Sequence, residues 1–206
     1  MFREYAHVPS SEIARLASKQ TIRLCILNDS VYPVFNISSM RSVVHEVSNQ
    51  LDSVANIELR IIDIKLYPYV YHNYDSLDQR YGDMQARLVG AFCSPRTDIV
   101  IILTSKWTSR YGGYAWPRND IIILFYFESV LNGYLVDVNG DTYPINVLKH
   151  ELGHIFGIER HSEDSTSFMH DPVFTGLPAD AWNHSEVSFL RTRRKTIFGG
   201  WRRPSS

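Results

Sequence analysis

Cysteines and long apolar runs are both scarce in this sequence. Two cysteines in 206 residues cannot support a scaffold held by several disulfides or a zinc site built from clustered thiolates. No apolar run approaches the roughly 20 residues that cross a bilayer, and the first residues lack the apolar core of a signal peptide. We therefore expect no membrane partner, and either a cytoplasmic protein or the mature form of a secreted one.

The chain also lacks an excess of charge of one sign. Its net charge is −1, and its 44% hydrophobic and 21% charged residues are typical of a globular protein. Six basic side chains lie in the last sixteen residues, but a nucleic-acid-binding protein usually carries basic charge over a whole face. We expect a monomer without a nucleic-acid partner.

The two cysteines, Cys25 and Cys93, each lie in or beside an apolar run, and neither is part of a Cys-x-x-Cys motif. Buried cysteines in such surroundings usually behave as small apolar side chains. We expect two buried free thiols, with a single disulfide between them as the alternative.

Hydrophobic periodicity predicts strands that alternate with helices, which is typical of an α/β fold with a twisted, mostly parallel sheet. Two continuous apolar segments, 98–104 and 120–127, are typical of strands covered on both faces. The other predicted elements are strands at 21–28 and 57–66, with a bulge at Ile61 and Ile62, and helices at 10–19, 40–55, 75–92 and 185–195. Glycines and a proline make the segment 111–117 an edge strand or a loop.

A further helix carries the chemistry. Pro144 suits its first turn and Gly157 can end it, and a buried stripe recurs at helical spacing through Ile145, Leu148, Leu152 and Ile155. His150 and His154 are four residues apart, so they share one face of this helix, with Glu151 beside the first. A His-Glu-x-x-His pattern arises by chance in roughly one such chain in a hundred, so the motif is specific.

Two imidazoles on one helix face can bind one zinc ion, which then needs a third protein ligand and a water molecule. Zinc lowers the pKa of that water to about 7 and polarises a carbonyl group. Glu151 would accept the proton of the water and pass it to the leaving amine. The motif therefore predicts a zinc hydrolase with Glu151 as its general base.

The motif His-Glu-x-x-His-x-x-Gly followed by a histidine resembles the metzincin family of zinc endopeptidases. Arg160 occupies the position that the family usually gives to the third histidine, and His161 follows one residue later. Ser162, Asp164 and Met169 then match the register of the matrix metalloproteinase branch. The resemblance implies His161 as the third ligand, with Glu159 or Asp164 as alternatives.

The resemblance also implies the rest of the site. Met169 would form the Met-turn beneath the metal, and Gly113, Tyr114 and Ala115 would form an edge strand that binds an extended peptide over a cleft. We expect a zincin-type α+β arrangement within one catalytic domain over 1–206. Its N-terminal subdomain (1–157) would include the active-site helix, and a small C-terminal subdomain (158–206) would hold the Met-turn and a terminal helix. The archaemetzincins carry a second zinc on clustered cysteines, and no cysteine follows Cys93.

Two other hypotheses remain open from the sequence. In a gluzincin, the third ligand is a glutamate on a later helix, and Glu186 lies on a predicted one. Alternatively, the chain could be a catalytically silent, zinc-stabilised module that binds other proteins. The presence of Glu151 disfavours this second alternative, because a purely structural site would fill its fourth position with a protein ligand.

Overall fold

The computed structural model describes residues 18–30, 37–68, 79–104, 112–125, 143–170, 182–192 and 198–202. Its strands are β1 (Gln20–Asp29), β2 (Ile57–Tyr67), β3 (Ile99–Thr104), β4 (Gly113–Trp116) and β5 (Ile121–Phe125). Its helices are α1 (Ile37–Ala55), α2 (Gln79–Val89), α3 (Tyr143–Phe156) and α4 (His184–Thr192), followed by a 3₁₀ turn at Gly200–Arg202.

The five strands form one mixed sheet in the order β2-β1-β3-β5-β4. Three neighbouring pairs are parallel, and β4 runs antiparallel to β5 at one edge. Leu24 pairs with Ile61 and Cys25 with Asp63, so Ile62 is the extra residue of a β-bulge. The predictions of an α/β fold, a mostly parallel sheet and this bulge are confirmed.

Side chains of successive strand residues point to opposite sides of the sheet, so a strand of continuous apolar sequence has two apolar faces. Helices cover both of them. On β1, Leu24 and Ile26 face the cluster that includes α1, α3 and α4, whereas Cys25 and Leu27 face the cluster that includes α2 and the 3₁₀ turn. All residues of β3 and β5 are buried, as their continuous apolar sequences predict. Among the described residues, no helix is both long and apolar enough to cross a membrane.

The expectation of two free thiols is wrong, since Cys25 and Cys93 form a disulfide. Cys25 lies on β1 and Cys93 follows the end of α2, and their Cα atoms are 5.9 Å apart. The packing of α2 on the sheet brings them together across 68 residues of sequence, a separation at which sequence alone indicates no contact. Closing a loop of this length stabilises the fold by about 4 kcal/mol in the chain-entropy account.

Helix boundaries differ modestly from the predicted ones. Helix α2 ends at Val89 rather than residue 92, because the chain turns at 90–92 to deliver Cys93 to the sheet. Residues 10–17 of the predicted first helix, and residues 193–195 of the last one, lie outside the described ranges. The division into subdomains at residue 157 stays a prediction.

Candidate metal centre

Helix α3 is buried on nearly all sides. The predicted stripe of Ile145, Leu148, Leu152 and Ile155 is buried, with exposed fractions of 9% or less. Lys149 is also fully buried, which its charge did not predict, and its ammonium group lies 3.9 Å from the centroid of the Phe168 ring. The helix therefore holds its polar side chains on a rigid, packed element.

The C-terminus of α3 orients one histidine directly. Gly157 adopts a φ of 105°, and the hydrogen bonds from Gly157 N to His154 O and from Ile158 N to Gly153 O form a Schellman motif. This reversal brings the Ile158 carbonyl oxygen to 2.8 Å from His154 Nδ1. The residue that ends the helix therefore also sets the orientation of the His154 ring.

Three imidazole rings converge beside this helix end. His154 Nε2 lies 3.2 Å from His150 Nε2 and 3.2 Å from His161 Nε2. One potential ligand atom from each of the three rings lies within 4.8 Å of the other two. His150 is buried, His154 is half-buried and His161 is exposed, so the group opens to solvent on the side of His161.

The hydrogen bonds of the rings indicate why a cation fits here. His150 Nδ1 donates to the Phe168 carbonyl at 2.7 Å, as His154 Nδ1 does to that of Ile158. Burial, together with neighbouring His154 and His161, lowers the pKa of His150 to about 3. His150 Nε2 is therefore an unprotonated acceptor. It faces His154 Nε2, which is also an acceptor because that ring donates from Nδ1, and a positive ion stabilises such a pair.

The spacing of the nitrogens agrees with a tetrahedral zinc site. Two ligands bound at about 2.0–2.1 Å to one tetrahedral ion lie about 3.3 Å apart. The two measured Nε2 separations of 3.2 Å are close to that value. His150, His154 and His161 therefore form a group that could bind zinc.

The other weighed ligands lie elsewhere. Glu159 and Arg160 are exposed. The carboxylate of Asp164 accepts hydrogen bonds from the backbone and hydroxyl groups of Thr166, which lower the pKa of Asp164. Glu186 is buried at the start of α4, where its carboxylate accepts from Ser167 and Asn183. These contacts disfavour the gluzincin hypothesis.

The predicted Met-turn methionine packs directly against α3. Met169 is fully buried, and a Cβ atom added to Gly153 would lie 2.2 Å from its sulfur and 3.0 Å from Trp182 Cζ3. Gly153 directly precedes His154, so Met169 lies next to the helix turn that carries the histidine pair. The glycine permits a contact between helix and loop that any larger residue would block.

Substituting Gly153 by alanine tests this contact. Alanine favours a helix over glycine by up to about 1 kcal/mol, but overpacking a core costs about 1–3 kcal/mol. We expect net destabilisation, measured as a lower urea midpoint. Gly90→Ala is the control, because a Cβ atom there would meet nothing closer than 3.8 Å. Unchanged or increased stability of Gly153→Ala would contradict the close contact.

Glu151 and the predicted substrate strand lie next to each other. Glu151 is buried, and a Cβ atom added to Gly113 would come within 3.0 Å of Glu151 Oε1 and 2.7 Å of Val147 Cγ1. The glycine thus lets β4 approach α3 closely. In β4, Tyr114 is half-buried and Ala115 buried, and no described strand pairs with its outer side. Within the segment 111–117, predicted to be an edge strand or a loop, Gly113–Trp116 forms an edge strand, and its binding of a peptide stays a prediction.

Comparisons with known proteins find similarity of structure only. No protein-family model and no curated protein matches this chain. An archaemetzincin from Methanopyrus kandleri matches 91% of this chain and 98% of its own, with a TM-score of 0.58 and 17% identity. Metalloproteinase-II from Bacteroides fragilis matches with a TM-score of 0.57 and 14% identity, over 87% of this chain and 56% of its own. At these identities the similarity shows a shared fold.

Sequence reasoning missed the groups that hold the site in place. The carbonyl groups of Phe168 and Ile158, which orient two histidines, carry no side-chain signal. Ser167 and the role of Glu186 were also missed, although the pattern Asn183-x-x-Glu186 is a recognisable capping box. Recognising that pattern would have predicted that α4 begins at His184, as it does in the structure.

Proposed function

We propose that this protein is a zinc-dependent endopeptidase of metzincin type. The observation that carries the proposal is the convergence of three histidines, in which His154 Nε2 lies 3.2 Å from the Nε2 atoms of both others, a separation suited to one tetrahedral ion. The shared fold with an archaemetzincin and a bacterial metalloproteinase supports the same class. The finer similarity to the matrix metalloproteinase branch rests on the sequence register of Ser162, Asp164 and Met169.

His150, His154 and His161 would hold the zinc ion, and Met169 would pack beneath it. A bound zinc ion supplies an acidified water molecule and polarises the scissile carbonyl group. Glu151 would accept the proton of that water and deliver it to the leaving amine. Its burial between α3 and β4 supports this role, because a carboxylate held in a packed cleft needs little reorganisation during proton transfer.

The substrate would be a peptide or protein segment in extended conformation. Strand β4 is at the edge of the sheet and lies against α3 beside Glu151. An extended chain that pairs with Gly113, Tyr114 and Ala115 would add a strand to the sheet. Its scissile bond would then lie close to Glu151 and the histidine group.

The test combines metal analysis with a cleavage assay. Purified protein should contain about one zinc per chain, and it should cleave unstructured casein in a reaction that a chelator abolishes and added zinc restores. Absence of bound zinc would reject the metal centre. Stoichiometric zinc without chelator-sensitive cleavage under any condition would instead favour a silent zinc-stabilised binding module.

A further inference from the structure

One buried carboxylate joins α4 to the loop that carries Met169. Glu186 is 6% exposed, and its two oxygens accept hydrogen bonds from Ser167 Oγ at 2.7 and 2.8 Å. They also accept from Asn183 N and Asn183 Nδ2, both at 2.9 Å. Asn183 Oδ1 in turn accepts from Glu186 N at 3.0 Å, which completes a capping box at the start of α4.

A capping box alone does not require the contact with Ser167. The reciprocal bonds between Asn183 and Glu186 already satisfy the first turn of α4. Ser167 lies outside α4, nineteen residues earlier in the chain, and it is almost fully buried. The same carboxylate therefore performs a second task outside its own helix.

That second task leads to the histidine group. Ser167 Oγ accepts a hydrogen bond from Met169 N at 2.9 Å, so the hydroxyl group fixes the backbone on both sides of Phe168. The Phe168 carbonyl group between them accepts from His150 Nδ1 at 2.7 Å. A continuous path of hydrogen bonds and one short backbone segment thus connects Glu186, through Ser167 and Phe168, to the ring of His150.

From this path we infer that Ser167 and Glu186 are positioning residues for the metal centre, an inference that rests on the proposed zinc site. They hold the Phe168 carbonyl oxygen where it selects the tautomer of His150 that presents an unprotonated Nε2. Removal of a group that bonds a metal ligand directly, as the Phe168 carbonyl bonds His150, typically changes metal affinity by about 10–100-fold. Ser167 and Glu186 act through that carbonyl group, so this range is the upper limit of their effect. Glu186 acts through Ser167 and does not touch the ion.

The experiment measures zinc dissociation constants by competition with a chromophoric chelator. Ser167→Ala and Glu186→Gln should each weaken zinc binding by more than about twofold and by up to about 100-fold. The double variant should bind zinc no more than about twofold more weakly than whichever single variant binds it less tightly, because the two residues act along one path. The visible spectrum of the Co²⁺ form should keep its tetrahedral bands, since all three ligands remain.

Val187→Ala is the control for lost stability, because Val187 lies on the same helix and packs against the core with a side chain that cannot form a hydrogen bond. It should lower the urea midpoint while leaving zinc affinity within about twofold. If Ser167→Ala also leaves zinc affinity within that range, the positioning role is wrong, and this holds even where Glu186→Gln fails to fold. A loss in Glu186→Gln that far exceeds the loss in Ser167→Ala would instead make Glu186 a ligand and overturn the inference.

The proposed function and this inference fail in different ways. Wild-type protein that holds zinc but cleaves no peptide refutes the endopeptidase, while the affinity series still decides the positioning role. Wild-type protein that cleaves in a zinc-dependent manner, beside a Ser167→Ala variant of equal affinity, refutes the positioning role alone.

Discussion

Glu151→Gln is expected to lower kcat for peptide cleavage by about 10²–10⁴-fold while the protein keeps its zinc. Glutamine has nearly the same shape, so it fits the packed space between α3 and Gly113. It cannot accept and return a proton as a carboxylate does, so the general base is lost and the metal ligands are left intact. Casein or peptide cleavage should be measured together with zinc content.

Glu159→Gln is the matched control for this substitution. Glu159 is exposed beyond the end of α3, so the same chemical change there should leave kcat within about twofold of wild type. If Glu151→Gln retained more than a tenth of the wild-type kcat, Glu151 would not be the base. Loss of zinc from Glu151→Gln would mean that the substitution disturbs the ligands rather than proton transfer.

His161→Ala is expected to weaken zinc binding by well over the roughly 100-fold that loss of an orienting partner can cause. Removal of one of three protein ligands leaves two imidazoles on α3, and two ligands do not make a stable zinc site. Peptide cleavage should fall in parallel at any zinc concentration that does not refill the site. Metal content after dialysis and a chelator-competition titration both measure the loss.

His170→Ala provides a comparison within the same loop. His170 donates from Nδ1 to the Ser162 carbonyl at 2.9 Å and is not part of the three-histidine group. Its replacement should therefore change zinc affinity far less than that of His161. If His161→Ala kept full zinc affinity while Glu159→Ala or Asp164→Ala lost zinc, the third ligand would be a carboxylate and not His161.

Local patterns account for what could be predicted. The apolar runs at 98–104 and 120–127 contain the strands β3 and β5, and the stripe from Ile145 to Ile155 belongs to one helix, so local sequence patterns alone identified them. The histidine pair is of the same kind, because a separation of four residues on a helix sets its geometry without reference to the rest of the chain. The bulge at Ile62 was also visible, since it inverts the alternation of apolar and polar residues in the sequence of β2.

The features that could not be predicted depend on contacts between segments that are distant in the sequence. The disulfide depends on α2 packing against β1, and the burial of Lys149 depends on the position of the Phe168 ring. Glu186 was considered as a metal ligand because its chemistry allows it, yet its neighbours in space are Ser167 and Asn183. No periodicity reports such pairings, since they follow from how elements pack rather than from any one element.

The sequence by itself determined the two histidines and the glutamate of α3, the glycine that ends this helix, and the alternation of strands and helices that places it on a sheet. The tertiary structure alone decided that His161 reaches 3.2 Å from His154, that two backbone carbonyl groups orient the rings, and that Gly113 brings an edge strand against Glu151. The physical reason is that helix geometry is set by nearest neighbours along the chain, whereas a metal centre needs atoms from separate segments to meet within a few tenths of an ångström.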